Sequence, residues 1–128
     1  MHTAPYFTAI GLIAVVYSVR VVKLRRLHQV SLGDGGVPAL NQAIRAFGNL
    51  VEYSTLGLVM LMALEYIQAP VWFLHVCGFT LVAGRMLHAL AFSKPKIVMQ
   101  TRVAGMMLTY FSLTTSAVGI TVFSMMSI

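Results

Sequence analysis

Apolar positions along this chain fall into four long blocks, and polar positions cluster between them. The first block runs from Pro5 to Val22, with no charge before Arg20. The second begins near Pro38 and is apolar from Leu50 to Tyr66 apart from Glu52 and Glu65. The third extends from Val71 to Phe92, interrupted by Arg85 and His88, and the fourth starts around Arg102 and meets no further charge. A hydrocarbon layer about 30 Å thick takes about 20 helical residues per crossing, so each block is one crossing. Backbone groups in lipid must be satisfied within the segment or in a closed barrel, and these blocks are too long and continuous for barrel strands. The pattern predicts an all-α integral membrane four-helix bundle in a single domain, 1–128, with helices over approximately 5–26, 38–67, 70–92 and 100–127.

Breakers mark the connections. Ser31-Leu-Gly-Asp-Gly-Gly-Val-Pro38 reads as a loop, since Asp34-Gly35 favours a turn and Pro38 suits the first turn of a helix. Gln68-Ala69-Pro70 is a tight connection, and Ser93-Lys-Pro-Lys96 is the next loop. The first block has no basic residue before it and no small-residue cleavage pattern after it, so it is a retained helix rather than a signal peptide.

Composition agrees with the pattern. Of 128 residues, 59% are hydrophobic and 9% charged, against roughly 45–50% and a quarter in soluble domains. Nine basic and three acidic side chains cannot clothe a soluble globule. A disordered tail and a disulfide scaffold are excluded as well, since Cys77 is the sole cysteine. The net charge of +6 sits between apolar runs, which suits an anionic membrane face rather than nucleic acid. Lys23, Arg25 and Arg26 follow the first helix; Lys94, Lys96 and Arg102 follow the third. The positive-inside rule then puts loops 1 and 3 in the cytoplasm and both termini on the periplasmic side of a cell inner membrane. His2, His28 and His75 show no metal-ligand spacing, so no metal is expected.

The second helix carries Arg45, Asn49 and Glu52 at i, i+4 and i+7, on one face. An intramembrane charge costs about 2.5–3.5 kcal/mol at the bilayer centre, so Glu52 is expected to have a buried partner, either Arg45 or a basic group of another helix. Arg85 and His88 are i, i+3 neighbours on the third helix, and Arg102 opens the fourth. With Arg20, Lys23 and Arg26, these basic groups are expected to converge at the cytoplasmic end on an anionic or zwitterionic ligand. The plainer readings stand beside this one. Glu52 with Arg45 could be a structural ion pair, Lys23, Arg25 and Arg26 could be topogenic or solvated charge, and His88 a hydrogen-bonded helix residue. Gly48, Gly57, Gly78, Gly84 and Gly105 would permit close helix approach.

The run Arg45-Ala-Phe-Gly-Asn49-Leu-Val-Glu52-Tyr53 resembles the helix 2 motif of the MAPEG family, the membrane-associated proteins in eicosanoid and glutathione metabolism. The resemblance covers nearly the whole chain, including the basic first loop and the Arg85-x-x-His88 element, and the short length suits the compact bacterial members. It implies a homotrimer of four-helix subunits, with glutathione as co-substrate held between neighbours near the cytoplasmic face. By motif position, Arg45, Asn49, Glu52, Tyr53, Arg85 and His88 would bind glutathione, Arg102 would stabilise its thiolate, and Arg26 would assist. A thiol with an ordinary pKa of about 8.5 is a good nucleophile only as thiolate, and a guanidinium favours that form without supplying a proton. The implied activity is a glutathione transferase, or peroxidase, acting on hydrophobic electrophiles dissolved in the bilayer and serving detoxification. Phe92, Val103 and Met106 depart from the tyrosine, serine and tyrosine of eicosanoid-forming members, which tells against an eicosanoid isomerase. Two alternatives remain: a small proton-coupled multidrug transporter using Glu52, and a non-catalytic glutathione or lipid binder on the same scaffold.

Overall fold

The computed structural model describes residues 1–92 and 98–126, and among these every regular element is a helix. The order is α1 (Ala4–His28), α2 (Pro38–Tyr66), α3 (Val71–Ala91) and α4 (Met99–Met126). All four are long and apolar enough to cross a membrane. The shortest, α3, has 21 residues, about 31 Å of axis at 1.5 Å per residue.

The first helix runs to His28, so Arg25, Arg26 and His28 occupy its last turn, where cations complement the carbonyl end of the helix dipole. Gln29 then turns left-handed (φ 54°) and stops it. Loop 1 needs further left-handed positions, and glycine supplies them at Gly33, Gly35 and Gly36. Within this loop Asp34 folds back on itself: its carboxylate accepts from the Gly36 N–H at 3.0 Å and from the Asn41 amide. Those donors hold the Asp34 carboxyl below the usual aspartate range, the Asn41 bond contributing most. Arg25, read as topogenic or solvated charge, donates to the Gly33 carbonyl at 2.9 Å and pins the same loop.

The closest packing joins α3 and α4. Gly105, Thr109, Ser112, Ser116 and Gly119 recur at alternating spacings of four and three, and all are buried. This face lets the two backbones touch: a Cβ on Gly105 would lie 2.5 Å from the His88 nitrogen and 2.7 Å from the Gly84 oxygen. Ser112 donates to the Cys77 carbonyl across the same seam at 2.7 Å. The apolar core is concentrated towards the far end of the bundle, around Leu61, Leu64, Leu74, Cys77 and Leu81. The N-terminal segment is tied to that end by Glu65, whose carboxylate accepts from the His2 and Thr3 backbone and the Thr3 hydroxyl and lies 3.7 Å from the Met1 amine.

The helix α1 packs on α2 and α3 without touching α4 among the described residues. Its buried apolar residue is Ile10, while Leu12, Val15, Val16, Val19 and Val22 stay exposed. Two polar groups anchor it and α2 to the end of α3. Arg20 and Gln42 both donate to the Phe92 carbonyl, at 3.0 and 3.3 Å. A helix leaves its last carbonyls unpaired, so this clamp satisfies one of them inside the bundle.

Candidate functional site

The polar face of α2 forms the long wall of a cavity at the loop 1 end. Asn41, Arg45, Gly48, Asn49 and Glu52 fall at i, i+4, i+7, i+8 and i+11 along the helix and line an open space of about 840 Å³. Asp34, Gly36 and Val37 of loop 1 close one side, and His88, Phe92 and Arg102 close another. The volume lies within the roughly 300–1,000 Å³ of small-molecule sites.

The cavity carries charges of both signs. Arg45 and Arg102 are its guanidiniums, and Asp34 and Glu52 its carboxylates. Asp34 is occupied by Asn41 and Gly36, as described. Glu52 is not: no ion pair within 4 Å reaches it among the described residues, and both Glu52 and Arg45 are exposed on the single chain. Neither partner expected for Glu52, Arg45 or a basic group of another helix, therefore pairs with it among the described residues. For Arg45 the reason is geometric. Seven residues are about 10 Å of helix axis, too far for a salt bridge between side chains that both stand out from the helix.

Arg85 takes a different course. It is fully buried, and its guanidinium is held by groups of two other helices, α2 and α4. Nε donates to the Thr109 hydroxyl at 2.9 Å, Nη1 to the Asn49 side-chain oxygen at 2.9 Å and to its backbone oxygen at 3.3 Å, and Nη2 to the Met106 sulfur at 3.1 Å. The Tyr53 ring lies 5.2 Å from the charge, and the Tyr53 hydroxyl meets that of Tyr110 at 3.4 Å. Neither Arg85 nor Tyr53 lines the cavity. His88, one turn along from Arg85, does so at 2% exposure, beside the Phe92 ring at 5.2 Å. Arg102 sits over the other part of this cluster, 5.4 Å from the Phe92 ring centre.

The expected convergence of basic groups is thus partial. Arg45, Asn49, Glu52, His88 and Arg102 share the cavity. Arg20 serves the end of α3, while Lys23 and Arg26 are exposed on α1 away from it. Ser93, Lys94 and Lys96 lie outside the described residues.

The family model for the MAPEG family matches residues 3–122. The chain belongs to the MAPEG family. Among curated proteins it is similar to the inner membrane protein YecN of Escherichia coli K12, 39% identical over 92 residues, which are 72% of this chain and 70% of that one. The protein of the same name in Escherichia coli O6:H1 matches to the same extent. In this MAPEG chain Arg45, Asn49 and Glu52 of the helix 2 motif line the cavity while Tyr53 does not, and the helix 3 element, Arg85 and His88, splits between interior and cavity. Asn41, Gln42 and Asp34 also line the cavity, a place that the sequence pattern gives to none of them, since Asp34 reads there as a turn residue alone. Asn41 could have been found, since it lies one turn before Arg45 on the same face.

Proposed function

We propose that this protein is a glutathione-dependent transferase of the inner membrane that joins or reduces hydrophobic electrophiles, and that it works as a homotrimer. One observation carries the reading: a mixed-charge cavity, with an open carboxylate and two guanidiniums, lies between α2, loop 1 and the facing ends of α3 and α4, and its Arg45 and Glu52 are exposed on the single chain. Glutathione offers the complement of that set, an ammonium, two carboxylates and a thiol. Glu52 accepts from the ammonium, and Arg45 with the Asn49 amide takes a carboxylate. Arg102 favours the thiolate; His88 and Phe92 form the floor beside it. The thiol proton leaves to water, the sulfur attacks the electrophilic carbon, the C–S bond forms, and the leaving group departs with its electron pair.

The family resemblance points to the trimer, and cost supports a covered face. Glu52 turned to lipid would cost up to about 2.5–3.5 kcal/mol at the bilayer centre, and Arg45, nearer the interface, less, so a neighbouring copy covering this face is the favourable state. Arg26, off its own cavity, is assigned to the cavity of a neighbour. A second reading, a binder without turnover, is favoured by Met106, whose sulfur accepts from the buried Arg85 and which does not line the cavity. Isothermal titration of the detergent-purified protein with glutathione is the primary test. Binding in the micromolar to millimolar range is expected, and a folded protein that binds none at millimolar concentration ends the proposal. Turnover of a generic aryl halide then separates enzyme from binder.

A further inference from the structure

The Arg85–Asn49 contact settles which end of the Asn49 carboxamide faces the cavity. A guanidinium has donors and no acceptor, so the atom 2.9 Å from Arg85 Nη1 is the carbonyl oxygen. Normally the oxygen and nitrogen of an asparagine are hard to tell apart, but a donor-only neighbour removes the ambiguity. The Asn49 backbone oxygen is taken by the same Nη1 at 3.3 Å. The amide nitrogen is therefore turned away from Arg85, Asn49 lines the cavity, and no acceptor faces that nitrogen among the described residues.

Arg85 is itself immobile. Thr109 and Met106 fix its other nitrogens, it is 0% exposed, and no carboxylate pairs with it among the described residues. We infer that Arg85 is a positioning residue that locks Asn49 as a pure hydrogen-bond donor and so makes this part of the cavity selective for a carboxylate over a carboxamide or ester. The lock keeps the oxygen on Arg85 and leaves the N–H groups of Asn49 for the cavity. A bond from such an N–H to an ionised carboxylate is charge-assisted and stronger than one to the neutral carbonyl of a carboxamide or ester. The inference rests on the glutathione reading for its ligand, and on Arg85 geometry for its mechanism.

Asn49→Asp is the diagnostic variant. It places a carboxylate against the buried guanidinium, which favours the fold, and it turns the donor into an acceptor, which repels a ligand carboxylate. Glutathione and glutathione diamide are titrated into wild type and variant in detergent, with thermal melting followed in parallel. The wild type is expected to prefer glutathione. Asn49→Asp is expected to melt no lower than wild type, to bind glutathione on the order of 30-fold more weakly, and to lose most of its preference over the diamide. Arg85→Met is expected to lower that preference too, although Arg85 is off the cavity. An Asn49→Asp protein that binds glutathione as wild type does with the preference intact overturns the inference, and so does one that fails to fold. A wild type that binds no glutathione strikes the functional reading instead, and the melting comparison still decides whether Arg85 faces an oxygen.

Discussion

If the cavity holds glutathione as proposed, Glu52 and Arg102 are the side chains whose removal separates holding the peptide from activating it. Glu52 makes no ion pair in its own chain, so Glu52→Gln leaves melting unchanged. It removes a charged acceptor worth about 1.5–3 kcal/mol, a 10- to 100-fold loss of glutathione affinity by titration. Arg102→Leu acts on the thiolate. Turnover of an aryl halide should fall on the order of 100- to 1,000-fold, and the ultraviolet absorbance of bound thiolate should vanish, with a smaller change in affinity. That Arg45, Asn49 and Glu52 share one face was legible from spacing alone. Arg85 was not. Spacing says that Arg85 and His88 share a side of α3, but which of them meets α2 depends on the rotation of one helix against another. Its partner Asn49 stands 36 positions away in the chain.

Glycine has opposite meanings on two helices of this bundle. A Cβ on Gly105 would drive into the α3 backbone, whereas one on Gly48 would meet nothing within 4 Å. Gly105→Leu is therefore expected to prevent assembly of the α3–α4 pair, read as lost or strongly lowered melting. Gly48→Leu is expected to keep the melting temperature, since it also replaces a poor helix former, while filling the cavity and blocking glutathione. A sequence reading gives both glycines the same role, because neither periodicity nor propensity reports what lies opposite. Loop 1 offers a comparable case. It reads as a breaker, yet Asp34 folds it over the cavity mouth. The Asp34 carboxyl is lowered in the folded state, so its contribution to loop stability is fully present above the ordinary aspartate pKa and lost as pH falls through the lowered value. Protease accessibility of loop 1 should be flat from pH 8 to about 5 and rise only in stronger acid; a rise near neutrality would show that something other than Asp34 holds the loop.

The bundle as a whole is lopsided. Its packing runs through α3 and α4, its first helix touches two others among the described residues, and its charged cavity lies to one side, along α2 at the loop 1 end. Four apolar helices were legible because lipid imposes the same length and polarity on each of them. The exposure of Arg45 and Glu52 on the single chain was not, because exposed and buried side chains at this spacing look the same in sequence. If neighbours complete each cavity, Arg26 of one copy serves Arg45 of another, and the two can be separated genetically. Arg26→Ala and Arg45→Ala proteins should each lose at least about tenfold in turnover. Unfolded together and refolded as mixed trimers, they bring intact Arg26 from one kind of copy to intact Arg45 of the other. Random mixing at equal amounts gives roughly a quarter of the sites both residues, so turnover should recover to about that fraction of wild type. Recovery needs copies that share a site. A mixture no more active than its parts would mean that each chain works with its own Arg26, which its position off the cavity forbids, or that Arg26 has no part in the reaction.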